Sequence, residues 1–280
     1  MSSFPSSEPT YIHGSLPREQ RRLSVLNELL NSRSLAALDV RFGDRVLDLG
    51  SGLGQLSRGI ARAVGRKGRV VAIERDPGQL AAAVRLAAAE GEDGLVDFRA
   101  GSVAAPPLDG GEWGTFDVAH ARFVLEHLSD PRAAVALLAR AVRPGGRIVL
   151  EDDDHSLLRV HPRDPDLERL WDAYVASYER LGNDPRIGTR LTGLLVEVGA
   201  EPRRSDMLFF GACRGARSFE PMIGNFRGVL EGARQSLLDT GSASEPDIER
   251  GLAAFDRWRG LADAALWYVT CWAEGVRPGS

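Results

Sequence analysis

Short runs rich in β-branched residues alternate with longer amphipathic segments, and this rhythm limits the possible fold more than any other feature of the chain. Strands separated by helices are joined by right-handed crossovers, so the pattern predicts an α/β fold on a parallel sheet. We expect the strands in five runs: Arg45–Leu49, Arg69–Glu74, Leu95–Arg99, Phe116–Ala119 and Arg147–Leu150.

The second half of the chain contains two more strand candidates, Met207–Phe210 and Leu266–Trp272, separated by two amphipathic helical patterns. A further helical pattern covers Pro17–Leu38. Since no Gly, Pro or Ser-rich linker divides the chain, we expect a single domain over residues 1–280. Its predicted parts are a helical leader (1–40), an α/β core (41–213 and 264–280) and a helical cap (214–263).

The composition is that of a globular protein, with 43% hydrophobic and 26% charged residues. A net charge of −4, from 35 basic and 39 acidic residues, argues against nucleic acid as a partner. Cys213 and Cys271 cannot form a disulfide framework, and we expect both to be buried core thiols. Without a secretory signal or an apolar run of about 18 residues, the chain is expected to be soluble, cytoplasmic and without membrane contact.

A glycine loop, Gly50-Ser-Gly-Leu-Gly54, follows the first strand and leads into a helix at Gln55. Small residues let a ligand approach the backbone, and a helix N-terminus offers N–H groups. Glu74 ends the second strand about twenty residues later, where a carboxylate can accept hydrogen bonds from both ribose hydroxyls. Together these features predict an adenosine-type site.

The ligand is not expected to be a dinucleotide. The third glycine comes one position early for that fingerprint, and Asp48 would meet a pyrophosphate. No Lys or Arg lies between Asp48 and Ser57 to compensate a phosphate charge. A ligand with a cationic end and an adenosine end, such as S-adenosylmethionine, fits better than NAD, and an NAD-binding oxidoreductase is correspondingly disfavoured.

The order of these motifs resembles that of the class I S-adenosylmethionine-dependent methyltransferases, small-molecule type. The segments that carry the resemblance are Val46–Gly54, Val71–Glu74, Gly101–Val103, Phe116–Ala119 with Arg122–Leu128, and Arg143–Leu150. The resemblance implies a Rossmann-like, mostly parallel sheet of seven strands with helices on both faces. It makes Met207–Phe210 and Leu266–Trp272 strands six and seven, the last antiparallel.

The resemblance also implies the residues that bind the cofactor, S-adenosylmethionine or its product S-adenosylhomocysteine. Tyr11, in the leader, is expected to close over the methionine end of the cofactor, and Ser102 stands where many members have Asp against the adenine amino group. The full set is Tyr11, Asp48, Gly50, Ser51, Gly52, Gly54, Gln55, Glu74, Arg75, Ser102, Val103, His120 and Arg122.

An acidic run, Glu151–His155, ends the fifth strand, where open α/β sheets place ligands. His155 is the candidate general base because an imidazole titrates near neutral pH. The alternative is a solvated strand end whose charges cap the next loop. We expect no metal, since one acidic run does not bring oxygen ligands together from several segments.

The predicted activity is methyl transfer to a small-molecule acceptor, a metabolite or natural product, by a monomer or homodimer. The cap is expected to act as a lid over the acceptor. The alternative function keeps the cofactor but uses it in another reaction, such as a cyclisation.

Overall fold

The computed structural model describes residues 30–279, in which one mixed sheet carries helices on both faces. The strands are β1 (Arg45–Leu49), β2 (Arg69–Glu74), β3 (Asp97–Ala100), β4 (Phe116–Arg122), β5 (Val142–Asp153), β6 (Arg159–His161), β7 (Glu201–Cys213) and β8 (Ala265–Val276). The helices are α1 (30–38), α2 (Gln55–Val64), α3 (Pro77–Ala89), α4 (Pro131–Ala141), α5 (Pro165–Arg180), α6 (Leu191–Glu197), α7 (Phe219–Gly232), α8 (Arg234–Asp239) and α9 (Glu245–Arg259). Of the predicted leader helix, only the part from residue 30 lies within the described residues.

Three of the helices begin at an Asp-Pro pair. The side chains of Asp76, Asp130 and Asp164 each accept a hydrogen bond from a backbone N–H in the first turn of α3, α4 and α5. Proline at the first helical position costs nothing, because its missing N–H would have no partner there. Each Asp-Pro pair therefore determines the residue at which its helix begins after the preceding strand or turn. In this way the pairs also help to position the ends of the preceding strands.

The sheet order is β3-β2-β1-β4-β5-β8, with β7 on the other edge of β8. Strands β1 to β5 pair in parallel, whereas β8 is antiparallel to both β5 and β7. This confirms the predicted mostly parallel sheet with an antiparallel last strand. The carboxyl ends of β1, β2, β4 and β5 therefore lie along one edge, where the predicted motifs meet.

The last strands are longer than predicted. β7 begins at Glu201 because it pairs with β8 over its whole length, although its first half is polar and gives no hydrophobic signal. The three-residue strand β6 was not predicted; it pairs with Ala265–Trp267 of β8, on the edge that β5 occupies further along. Tertiary pairing thus extended strands that local pattern could not define.

The cap helices α7, α8 and α9 connect β7 to β8 and pack against α5. Phe226 and Phe255 are buried in this core, where the Phe226 ring lies 5.6 Å from Trp171 and 5.2 Å from Tyr268 between ring centroids. The apolar faces of the cap helices are therefore used in packing. A lid over the acceptor, and the division of the chain into leader, core and cap, stay predictions.

The two cysteines differ in environment. Cys271 is buried, and burial raises the pKa of its thiol to about 12, so it is an inert thiol at neutral pH. The expectation was wrong for Cys213, whose side chain is exposed near the end of the edge strand β7. None of the described helices has the length and apolar composition needed for a membrane span.

Candidate functional site

A cavity of about 620 Å³ lies at the carboxyl ends of β1, β2 and β4. Most of the residues that the sequence predicted to bind a cofactor line it: Asp48, Gly50, Ser51, Gly52, Gln55, Glu74, Arg75, Ser102, Val103 and Arg122. Its volume lies in the range of small-molecule and cofactor sites. The fold therefore brings to one place residues as far apart in the chain as Asp48 and Arg122.

The glycine loop is folded tightly and uses its own N–H groups. The N–H groups of Gly50 and Ser51 both donate to the carbonyl of Ile73, at 2.9 and 3.0 Å, and that of Gly54 donates to the Ser51 carbonyl. The N–H of Gly52 donates to Oε2 of Glu74 at 2.8 Å. These donors are consequently already paired, unlike those of a loop built to bind phosphate.

Two glycines in this loop are required by their surroundings. Gly50 has φ +72°, and a Cβ there would lie 2.3 Å from Cγ2 of Val124. Gly54 has φ +68°, and its Cβ would lie 2.5 Å from the ring of Phe98. Gly54 does not line the cavity, so its place in the motif is explained by packing behind the loop.

Glu74 is almost completely buried and lies against the cavity wall. Its Oε2 accepts the N–H of Gly52 and its Oε1 accepts the N–H of Asp76, both at 2.8 Å. Burial raises the pKa of the carboxyl, and these backbone hydrogen bonds oppose the rise. Each carboxylate oxygen has two acceptor positions, so both oxygens retain capacity for a ligand hydroxyl.

Asp48 lies at the other side of the loop and lines the cavity. Its Oδ2 accepts a hydrogen bond from the Ser57 hydroxyl at 2.6 Å, and its Oδ1 lies 3.1 Å from Nδ1 of His120. His120 itself is buried behind Asp48 and does not line the cavity. Within the described residues its relation to a ligand is thus indirect, through Asp48. Tyr11 lies outside the described residues.

The charged groups around the cavity favour a ligand with positive charge. Its acidic lining residues outnumber its arginines: they are Asp48, Glu74, Asp76 and Asp130 against Arg75 and Arg122. Ser51 also lines the cavity, and its buried hydroxyl has no hydrogen-bond partner among residues 30–279. A ligand that is cationic at one end and carries hydroxyl groups matches this set.

Sequence reasoning included Arg122–Leu128 among the motif segments but gave Phe123 no role. Phe123 lines the cavity with φ +55°, a left-handed conformation that is rare for a bulky residue, and its N–H donates to the Glu151 carbonyl at 3.0 Å. Strained backbone of this kind often occurs at functional sites. No pattern in the sequence could have indicated it, because the φ angle is set by pairing with β5.

The acidic run at the end of β5 is buried, so the expectation of a solvated strand end was wrong. Glu151 accepts hydrogen bonds from the hydroxyls of Ser34 (3.0 Å) and Thr270 (2.9 Å). Asp152 accepts the N–H groups of the turn after β4. Asp154 caps the turn that follows, as its side chain accepts the Ser156 N–H at 3.0 Å.

His155 is not among the residues that line the cofactor cavity. It is buried, its Nε2 lies 2.8 Å from Oε2 of Glu126, and it borders a second cavity of about 510 Å³. Burial lowers its pKa, and the carboxylates of Asp153 and Asp154 oppose this. The general base predicted from sequence therefore has no contact with the cavity where the cofactor residues meet.

Glu126 lies between two histidines. Its Oε1 is 3.4 Å from Nε2 of His127, which lines the cofactor cavity, and its Oε2 contacts His155. Burial, reinforced by the charge of Asp184, raises the pKa of Glu126 to about 8. Burial likewise lowers the pKa of His127 to about 3, so this imidazole is neutral at physiological pH.

Glu126, Asp153 and His155 form a compact group that the sequence did not predict. One ligand-bearing atom from each lies within 4.8 Å of those of the other two, and all three side chains are buried. Glu126 comes from the turn after β4, whereas Asp153 and His155 belong to the acidic run at the end of β5. The sequence analysis expected no metal because one acidic run does not bring ligands together from several segments, but here a second segment contributes.

Comparisons with known proteins agree with this geometry. Residues 47–150, which contain the glycine loop, Glu74 and β4, match the family described as a methyltransferase domain. A ubiquinone biosynthesis O-methyltransferase of Xanthomonas oryzae pv. oryzae is 37% identical over 131 residues, 47% of this chain and 52% of that protein. The chain spans about half the length of the curated relatives it matches.

Two solved structures share the fold. Phosphoethanolamine N-methyltransferase 2 of Haemonchus contortus, in complex with S-adenosylhomocysteine, has a TM-score of 0.56 at 16% identity, covering 96% of this chain and 61% of that one. The [4+2]-cyclase SpnF has a TM-score of 0.50 at 19% identity, covering 97% and 86%.

The fold and the glycine-loop site resemble those of enzymes that use an adenosine-containing methyl donor. Residues 47–150 are therefore similar to the methyltransferase domain of the class I S-adenosylmethionine-dependent enzymes, as the motifs indicated, and the cofactor of that family is S-adenosylmethionine.

Proposed function

We propose that this chain binds S-adenosylmethionine in the 620 Å³ cavity and transfers its methyl group to a small-molecule acceptor. The observation that carries the proposal is the state of the glycine loop. The N–H groups of its residues Gly50, Ser51, Gly52 and Gly54 are already paired, that of Gly52 with Glu74. Glu74 and Asp48 both line the cavity. Such a loop suits a ribose and a cationic group, and does not suit a pyrophosphate.

The residues have distinct roles in this proposal. Glu74 accepts hydrogen bonds from the ribose hydroxyls, and Asp48 stabilises the positively charged end of the cofactor. Ser102, Val103 and Leu128, which line the cavity, contact the adenine in this proposal. When bound, the cofactor supplies an activated methyl group, and the protein contributes alignment and exclusion of water.

The acceptor is proposed to be a small molecule with a nucleophilic oxygen or nitrogen. This is supported by the names of the relatives, a ubiquinone biosynthesis O-methyltransferase and a phosphoethanolamine N-methyltransferase. A net charge of −4 also gives the chain no general attraction for nucleic acid.

Calorimetry with S-adenosylhomocysteine tests the first part of the proposal, and we expect saturable binding of one molecule per chain. Incubation with methyl-labelled S-adenosylmethionine and a panel of phenols, amines and amino acids tests the second. Labelled product from a member of the panel supports the proposal. Absence of cofactor binding refutes it, and conversion of an acceptor without transfer of label would favour the cyclisation alternative.

A further inference from the structure

A second polar centre lies in the core, beside the cofactor cavity but outside its lining. Glu126, Asp153 and His155 reach it from the turn after β4, the end of β5 and the turn after β5. Their side chains are 3%, 7% and 5% exposed, and one ligand-bearing atom of each lies within 4.8 Å of the others. Two segments, the turn after β4 and the acidic run at the end of β5, thus hold two carboxylates and an imidazole around one point.

The carboxyl groups at this point are only partly paired. The Asp153 carboxyl has a hydrogen bond with the Tyr268 hydroxyl, but its Oδ1 is buried and has no hydrogen-bond partner within residues 30–279. The neighbouring Arg122 also faces Glu151 and Asp48, so it is shared among several carboxylates. A buried carboxylate is costly unless it is paired or coordinates a cation.

Aromatic rings shield the same point from solvent. The centroid of the His155 ring lies 5.9 Å from that of Trp171 and 5.2 Å from that of Tyr178, and the Trp171 Nε1–H donates to the His155 carbonyl at 2.8 Å. These contacts fix the imidazole orientation without occupying either ring nitrogen. Rigid, second-layer support of a ligand is typical of metal sites.

We propose that Glu126, Asp153 and His155 bind one divalent cation such as Mn²⁺. Two carboxylate oxygens and one imidazole nitrogen form a mixed ligand set that suits Mn²⁺ better than Ca²⁺, which takes oxygen ligands, or a thiolate-bound metal. Ligand atoms about 2.1 Å from an octahedral ion lie about 3 Å apart when adjacent and about 4.2 Å apart when opposite. The observed separations, all within 4.8 Å, are close to these values.

The geometry also provides a route for the ion. His155 borders the second cavity, together with Trp171 and Asp172, so the metal can approach through the imidazole side of the centre. On binding, the ion takes the place of the hydrogen bond between Glu126 and His155, which spans 2.8 Å. The site ties the turn after β4 to the end of β5.

Mn²⁺ titration of the full chain tests the proposal. The protein is treated with EDTA and dialysed, and free Mn²⁺ is followed by electron paramagnetic resonance, since the sharp signal of the free ion is lost on binding. We expect one Mn²⁺ per chain and a thermal unfolding midpoint that rises with Mn²⁺ concentration. This readout is independent of methyl transfer.

Asp153→Asn removes one ligand charge and should weaken Mn²⁺ binding at least about tenfold. Asp154→Asn is the matched control, because the neighbouring carboxylate already contacts Ser156 and Thr189 and lies outside the group. Its affinity should equal that of the unaltered chain. If Asp153→Asn does not fold, His155→Gln is judged by the same criterion. Absence of saturable Mn²⁺ binding at millimolar concentration, or equal binding by the ligand variant and the control, overturns the proposal.

Discussion

Replacement of Glu74 by Gln separates its two tasks, holding the loop and binding the ribose. In the free protein its two oxygens accept the N–H groups of Gly52 and Asp76 at 2.8 Å. An amide has one oxygen, so in either orientation its NH₂ group faces a backbone N–H. One of these N–H groups then loses its partner, which costs about 1–3 kcal/mol.

The free energy of unfolding should fall by less than this, because Gln also removes a buried charge whose desolvation raises the pKa of the wild-type carboxyl. Cofactor binding has no such offset. A charge-assisted hydrogen bond contributes about 1.5–3 kcal/mol, so losing one with the ribose lowers affinity about tenfold to a hundredfold. We therefore expect Glu74→Gln to affect S-adenosylhomocysteine affinity more than thermal stability.

Calorimetry at pH 7.5 measures the affinity, and Asp76→Asn serves as the control. Asp76 also lines the cavity, and its Oδ1 caps α3 by accepting the Gln79 N–H at 2.7 Å. Asn preserves a helix cap while removing the same charge, so this variant should bind within about threefold of wild type. The reasoning is refuted if Glu74→Gln binds as tightly as wild type, or if both variants lose affinity equally.

Because the Glu74 pKa is raised, wild-type affinity for S-adenosylhomocysteine should also decrease as the pH falls through that pKa. The affinity of Glu74→Gln should not change over the same pH range.

Other substitutions test the loop and the ion pair between Arg99 and Glu112, which is largely buried. Asp48→Asn should lower S-adenosylmethionine affinity about tenfold, and a loss no larger than the drop in thermal stability would contradict a direct role. Gly54→Ala should lower the free energy of unfolding by at least about 2 kcal/mol, because φ is positive there and the new Cβ would collide with the Phe98 ring. Gly199→Ala should cost less, because φ is also positive there but the space around it is open. Hydrogen bonds from Arg99 lower the pKa of the buried Glu112 from 4.5 to about 2, so its stabilisation is present above pH 4.5 and is lost as the pH falls towards 2. Glu112→Gln should cost at most about 3 kcal/mol in urea unfolding at pH 7 and less than half of that at pH 3; a pH-independent cost would exclude this origin.

Sequence alone predicted the sheet and the glycine-loop side of the site because those signals are local. The period of the apolar residues defined β1, β2 and β4, and the loop and Glu74 are placed by the strands that they follow. It underestimated β7, whose first half is polar and exposed, since only pairing with β8 makes that segment a strand. Local pattern carries no information on a strand that is defined by its partner.

The acidic run at the end of β5 shows why chemistry is harder to predict than topology. A carboxylate on a strand end is solvated by default, and its burial is stable only when hydrogen-bond partners from distant parts of the chain offset the cost of desolvation. For Glu151 those partners are Ser34 and Thr270, 117 and 119 residues away in sequence, and for His155 the partner is Glu126, 29 residues away. The burial that such contacts permit takes His155 out of the cofactor cavity and turns a presumed base into part of a carboxylate centre. Hence a residue type suggests what an atom can do, while its role depends on neighbours that the local sequence does not contain.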